Sequence, residues 1–213
     1  METMQPRPSG AEAPDVLPAA PAAVSAEATG LGGTYSVTLI ATATQEPVNS
    51  PQLGSAARNP ASELGTFSTT PTASSAAASS YLDASAGQDI SSCSGAATPV
   101  HLGATPADSC LTDQGAALTW AVGPWRVQVQ TVGGSKAPAA AGTALASWLA
   151  GHRLPPASKG VVAVSVPGSA EAGNSTTSEV LWDEGHDVYE TGGPGNGLEA
   201  LDLAASMRPW PGG

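Results

Sequence analysis

Hydrophobic and polar residues alternate most clearly in the second half of the chain. The run "WRVQVQTV" at 125–132 places Trp125, Val127 and Val129 on one face and polar side chains on the other. The preceding "ALTW" and the turn "AVGP" complete a β-hairpin. The runs "TSEVLW" and "DVYE" predict a second hairpin, and "GVVAVSVPG" at 160–168 predicts another strand. These patterns favour an antiparallel sheet with one face in water.

Two segments of the same half have helical periodicity. "PAAAGTALASWLAGHRL" carries an apolar stripe through Leu145, Trp148 and Leu149, and "NGLEALDLAASM" carries another. Proline follows each segment and forbids continuation of the helix. Residues 116–213 therefore predict a core with the order β-β-α-β-β-β-α. We expect an α+β fold, in which a curved antiparallel sheet carries helices on one face and Trp148 is buried between them.

The first half of the chain has weaker periodicity. Residues 1–30 are dominated by Ala and Pro without an aliphatic period, which predicts a disordered tail. Residues 31–115 predict a loop-rich part with one clear strand, "TYSVTLIATAT". In the same part, the Ser-rich segment at 73–84 permits a helix, although Ser is a weak helix former.

The two cysteines of the chain lie in this loop-rich part. Cys93 and Cys110 enclose "SGAATPVHLGATPADS", a segment with little apolar content to hold it in place. A disulfide would close this loop and stabilise it where apolar packing is insufficient. The polar surroundings of both residues favour the disulfide over the alternative, which is a pair of unrelated buried thiols.

Composition restricts the partners that the protein can have and the compartment in which it acts. The chain has 18 acidic residues against 7 Lys and Arg, a net charge of −11, which disfavours nucleic acids and anionic membranes as partners. No apolar run is long enough to insert in a membrane. The N-terminal sequence lacks the pattern of a signal peptide. A disulfide nevertheless favours an extracytoplasmic protein whose export segment lies outside this sequence, and without such a segment the chain is cytoplasmic.

Candidate functional residues are few. His186 stands beside Asp183, Glu184 and Asp187 at the predicted tip of the second hairpin. Acidic residues are common in such turns, and the alternative is a general base tuned by these carboxylates. Trp120 and Trp182 each stand just before a turn. They are expected to pack at the hairpin ends, or alternatively to line a groove for an apolar or glycan ligand. The sequence suggests no catalytic set, cofactor motif or metal-ligand spacing.

The C-terminal stretch also resembles known proteins. "LTW…GPWRVQV", "HRLPP", "VLWDEGHDVYE" and "ALDLAASMRP" resemble uncharacterised secreted and envelope proteins of actinobacteria and Gram-positive bacilli. They are distantly similar to envelope domains of the lipoprotein-carrier and sigma-factor-regulator type. The resemblance implies an extracytoplasmic compartment and a curved antiparallel sheet covered by helices.

These observations lead to one expected function and two alternatives. We expect a non-enzymatic envelope or secreted domain that binds or senses a protein, a glycan or a small apolar ligand. The first alternative is a hydrolase that uses acidic residues and His186. The second is a purely structural module of an envelope assembly.

Overall fold

A ten-stranded sheet forms the centre of the computed structural model, which describes residues 12–20, 22–54, 56, 59–89, 92–168, 176–195 and 197–209. The strands are β1 (Glu12–Pro14), β2 (Ala23–Leu31), β3 (Thr34–Thr42), β4 (Glu63–Pro71), β5 (Thr98–Leu102), β6 (Thr105–Leu111), β7 (Gly115–Val122), β8 (Trp125–Val132), β9 (Gly160–Pro167), β10 (Thr176–Glu184), β11 (Asp187–Gly195) and β12 (Met207–Pro209). The α-helices of this described part are α1 (Ser75–Asp89), α2 (Ala139–Gly151) and α3 (Glu199–Ser206).

The order of the large sheet is β2-β3-β4-β11-β10-β9-β8-β7-β6-β5, and β1 pairs separately with β12. The predicted α+β class is confirmed. The sheet is nevertheless mixed, because β8 and β9 are parallel while the other neighbours are antiparallel. The reason is α2, which carries the chain from the end of β8 back to the end of the sheet where β8 began.

The two faces of the large sheet carry different helices. Trp182 of β10 belongs to the main core cluster, which also contains the buried residues of α2 and α3. Its neighbour Leu181 points to the other face and packs with Val188 and with Ala78 and Leu82 of α1. Helices therefore cover both faces and not one, because consecutive residues of β10 are apolar and buried on opposite sides. None of the described helices has the length and apolar character that crossing a membrane requires.

The predicted N-terminal tail contains two strands in its described part, while residues 1–11 and 21 lie outside the described residues. The strand β2 pairs with β3 along its whole length through a tight turn, in which Gly32 and Gly33 have φ angles of 63° and 91°. Its other edge is covered by Asn49, whose side-chain oxygen accepts from the Ala28 N–H at 2.6 Å and whose amide donates to the Ala28 carbonyl at 2.8 Å. A side chain distant in sequence thus provides the hydrogen bonds of a neighbouring strand.

The predicted loop-rich part contributes four strands, β3 to β6, to the same sheet. The prediction of a single strand there missed β4, which lies between β3 and β11 and buries Phe67 in the core. Its sequence "ELGTFSTTP" has two large apolar residues, Leu64 and Phe67, which are three positions apart and so do not give the alternation of a strand. Backbone pairing with β3 and β11 therefore stabilises this strand in addition to the burial of Phe67.

Candidate functional site

A groove of about 770 Å³ runs alongside α3. Residues of α3 line it together with the segment 15–19, the end of α2 and the start of β4. The lining residues are Asp15, Val16, Leu17, Pro18, Ala19, Glu63, Leu64, Trp148, His152, Pro194, Glu199, Asp202, Leu203, Ala205, Ser206 and Arg208. A concave surface of this size, with a few polar groups among apolar ones, is the usual form of a ligand site.

The sequence of α3 explains why acidic residues face the groove. One side of the helix is buried against the sheet through Ala200, Leu201, Leu203 and Ala204. Glu199 and Asp202 are three residues apart, so they share another side of the helix, and Asp202 is exposed there. The Glu199 carboxylate also accepts hydrogen bonds from the N–H groups of Gly197 and Leu198 at 3.1 and 3.2 Å, which fixes it at the N-terminus of α3.

Trp148 lies in the wall of the groove. Its indole N–H donates to Asp202 Oδ1 at 3.0 Å, and the ring of His152 stacks on it with 4.3 Å between centroids. The residues are on one face of α2 because they are four positions apart, and the His152 ring nitrogen Nδ1 lies 2.8 Å from the Trp148 carbonyl oxygen. The expectation that Trp148 is buried in the core is therefore corrected: the side chain is half-buried, and its polar edge is directed at the groove.

The charges that line the groove are mostly negative. Four carboxylates face one guanidinium, and Arg208 lies 3.6 Å from the Asp15 carboxylate. Arg208 also donates hydrogen bonds to the carbonyls of Ala205 and Met207, at 3.2 and 2.6 Å. Its charge is therefore directed towards Asp15 and the end of α3, and Glu63, Glu199 and Asp202 leave the groove with an excess of negative charge.

The two tryptophans predicted as groove candidates lie elsewhere. Trp182 is completely buried, stacked on Tyr189 with 5.3 Å between ring centroids and 6.4 Å from Trp125. Trp120 is also buried and borders a separate shallow depression of about 320 Å³ beside β5 and β6. The structure does not bring either of them to the groove along α3, and their main contribution is apolar packing at the hairpin ends.

The structure separates the four residues that the sequence grouped at the tip of the β10–β11 hairpin, and Asp187 is half-buried there. Asp183 is 3% exposed, and its carboxylate accepts the backbone N–H groups of Ser158 and Lys159 at 2.9 and 2.7 Å. Glu184 and His186 are exposed. Asp183 thus anchors the segment that leads into β9, and the tip does not present the four side chains as one site.

Replacing His186 with alanine is expected to change the free energy of unfolding by less than about 0.5 kcal/mol, because the side chain is exposed. The backbone contact at this position survives the change, since the His186 carbonyl accepts from the Thr72 N–H and hydroxyl. Urea denaturation of both proteins measures the difference. A loss of several kcal/mol would show that the imidazole has a structural partner.

The predicted disulfide between Cys93 and Cys110 is confirmed. It joins the segment that follows α1 to β6, with 5.6 Å between the two Cα atoms. Ser94 supports the same attachment, because its N–H and hydroxyl both donate to the Leu111 carbonyl, at 2.8 and 3.0 Å. The bridge is therefore part of a local anchor that holds this segment to the sheet.

The sequence contains a signal for the groove that lies outside the predicted site residues. Trp148 and His152 are four residues apart on one helix, and Glu199 and Asp202 are three apart on another. Side chains that carry polar groups and stand next to a buried apolar stripe indicate a helix face that the rest of the protein covers only partly. No cluster of three or more His, Cys, Asp or Glu with the arrangement of a metal site occurs among the residues described.

The side chains of the groove give it both a charged and an apolar character. Glu63, Glu199 and Asp202 define its electrostatics, and Trp148, Val16 and Leu17 provide its accessible apolar surface. Comparisons with protein families, curated proteins and solved structures found no match to this chain.

Proposed function

We propose that this protein is a non-enzymatic binding domain that acts outside the cytoplasm and holds an extended peptide segment of a partner protein in the groove along α3. The bound segment carries a basic side chain next to an apolar one. The observation that carries the proposal is the combination of excess carboxylates and a half-buried tryptophan in one groove.

The carboxylates support the choice of a basic partner. Glu63, Glu199 and Asp202 lie in a concave surface, where a ligand ammonium or guanidinium group is attracted by all of them. The net charge of −11 adds a long-range field that attracts cations and repels a second copy of the same chain.

The apolar lining supports a peptide with aliphatic or aromatic side chains. Val16 and Leu17 are 63% and 52% exposed, consecutive, and on the rim of the groove. Trp148 is held by its hydrogen bond to Asp202 and by the stacked His152, so a ligand meets it with little loss of conformational freedom. Large apolar side chains exposed on the rim of a groove are typical of interaction sites.

The disulfide supports the proposed compartment. Thiols of cytosolic proteins are normally kept reduced, whereas the Cys93–Cys110 bridge closes a loop of the folded chain. An oxidising environment outside the cytoplasm is the setting in which this bridge persists.

Binding of short labelled peptides tests the proposal. A peptide of alternating Lys and Leu is expected to bind, and peptides in which Glu or Ser replaces Lys are expected to bind much more weakly. Asp202→Asn retains an oxygen that accepts from Trp148 and removes only the charge, so the Kd for the Lys-Leu peptide should rise about fivefold, the equivalent of one partly exposed ion pair. Fluorescence anisotropy measures these constants.

Two further variants make the test specific to the groove. Trp148→Ala removes the apolar contact and should weaken binding by about tenfold or more. Asp113→Asn removes an exposed charge in the turn before β7, outside the groove lining, and should leave the Kd unchanged. Equal binding of the Lys and Glu peptides, or equal effects of Asp202→Asn and Asp113→Asn, would refute the proposed function.

A further inference from the structure

The N-terminal segment that forms one wall of the groove is attached by a small number of contacts. β1 pairs with β12 over three residues, from Glu12 opposite Pro209 to Pro14 opposite Met207. The hydroxyl of the buried Tyr35 accepts from the Glu12 N–H at 2.8 Å and donates to the Glu12 carbonyl at 2.7 Å. The backbone of Glu12 is thus held from two sides, and the wall follows directly after it.

The connection between this attachment and the groove is short. The Asp15 N–H donates to the Ser206 carbonyl at 2.9 Å, and the Asp15 carboxylate pairs with Arg208. Val16 and Leu17, which line the groove, come next and are largely exposed. Because the exposed residues add little apolar burial of their own, the position of residues 15–19 depends on the docking of β1.

The side chain of Glu12 is placed where a negative charge is unfavourable. Glu12 is 8% exposed, and the ionisable groups that act on it come from four strands. They are Tyr35 of β3, Glu184 of β10, Tyr189 of β11 and Arg208 of β12, and Asp187 of β11 acts in turn on the two tyrosines. Burial, and then the charge of Glu184, raises the pKa of Glu12 from 4.5 to about 7, although Arg208 lowers it.

Burial raises other pKa values around Glu12 as well. Burial raises the pKa of Tyr35 and of Tyr189 above the usual value of 10.0, so both rings stay neutral. Burial also raises the pKa of Asp187, although the neighbouring His186 lowers it. Glu12 is the carboxyl that belongs to the docked segment itself, so its ionisation places a charge within the attachment.

We propose that residues 12–19 form a proton-controlled latch on the groove: protonated Glu12 keeps the segment docked, and ionised Glu12 releases it together with one wall of the groove. The latch rests on the short pairing of β1 with β12, on the two hydrogen bonds of Tyr35 to the Glu12 backbone and on the burial of the Glu12 side chain. Its effect on a ligand rests in addition on the proposed function.

The direction of the pH effect follows from proton binding. The docked segment binds a proton at Glu12 more tightly than the released segment, so docking is favoured at low pH and weakened as the pH rises towards 7 and beyond. With Glu12 at 4.5 when released and about 7 when docked, the ratio of released to docked segment rises about tenfold between about pH 6 and about pH 8.5.

Amide hydrogen exchange without any ligand tests the latch. After correction for the intrinsic pH dependence of exchange, protection of residues 12–19 is expected to fall about tenfold over this pH range in the wild-type protein. Glu12→Gln, which is neutral at every pH, should retain its protection. Glu27→Gln makes the same charge change on the exposed part of β2 and should behave as the wild-type protein does.

Protection of β8 distinguishes local release from general loosening of the fold. Unchanged protection of 12–19, equal losses in the wild-type protein and Glu12→Gln, or a parallel loss in β8 would each overturn the latch. The same pH series with the Lys-Leu peptide then tests the consequence for binding. If the segment responds to pH but the Lys-Leu peptide binds at no pH, the proposed function fails and the latch remains; if the peptide binds but the segment does not respond to pH, the latch alone fails. A Kd that stays constant while the segment is released would overturn the control of the groove by the latch.

Discussion

Replacing Trp182 with alanine is expected to lower the free energy of unfolding by about 3–5 kcal/mol. The side chain is 0% exposed, stacks on Tyr189 and contacts Trp125, so the substitution removes a large apolar surface and leaves a cavity in the middle of the sheet. The indole N–H is buried and has no hydrogen-bond partner in the described part of the chain. The loss therefore comes from packing, and urea denaturation at constant pH measures it.

Trp182→Phe and Trp148→Ala are the matched controls. Phenylalanine retains most of the buried apolar surface and removes no hydrogen bond, so it should cost much less than alanine. Trp148 is half-buried and bonded to the exposed Asp202, so Trp148→Ala should be clearly milder than Trp182→Ala. If the two alanine variants lose the same free energy, Trp182 is not the packing centre that the structure describes.

Removal of the disulfide should have the second largest effect. The Cys93→Ser, Cys110→Ser double variant is expected to lose about 3 kcal/mol, the chain-entropy value for a loop with a sequence separation of 17 between its ends. The segment inside the bridge includes β5, an edge strand of the large sheet, so the loss should appear first as greater exchange of β5 and β6 amides. Denaturation curves and hydrogen exchange measure the two effects.

Reduction of the wild-type protein provides the internal control. Dithiothreitol should lower the Tm of the wild-type protein towards that of the double variant and should leave the double variant unchanged. A thiol count on unreduced protein from its native host should give no free thiols. Two free thiols, or a Tm that does not respond to reductant, would argue against the bridge and against the support that it provides for an extracytoplasmic location.

Local pattern in the sequence determined the second half of the fold. Alternation at 125–132 and the apolar run at 160–168 correspond to β8 and β9, and the apolar stripes correspond to α2 and α3. These elements were predictable because each buries a face that its own periodicity defines. The disulfide was predictable from the polar sequence around the two cysteines, although the segment between them is not a loop but forms β5 and most of β6 and buries Leu102 and Ala107 in the core.

Periodicity did not determine which polar residues are buried. The alternation in β8 predicts that Gln128 and Gln130 face water, yet they are only 1% and 4% exposed. The Gln130 amide donates to the Gln114 side-chain oxygen and to the Ser165 hydroxyl, both at 3.1 Å. Ser165 of β9 and Gln114 of the turn before β7 are the partners of Gln130, and a pattern along one strand does not contain them.

Tertiary structure alone decided the parallel pairing, the use of both sheet faces and the groove. The Trp148–Asp202 hydrogen bond joins residues 54 positions apart, and the Tyr35 hydroxyl holds Glu12 from 23 positions away. The acidic character of α3 and the aromatic end of α2 are visible in the sequence, but each segment alone has the appearance of a solvated helix face. They become one groove only because the chain reverses through β9, β10 and β11 and sets the two helices on the same side of the sheet. Contacts of this kind depend on the order of strands in the sheet, which local periodicity does not specify.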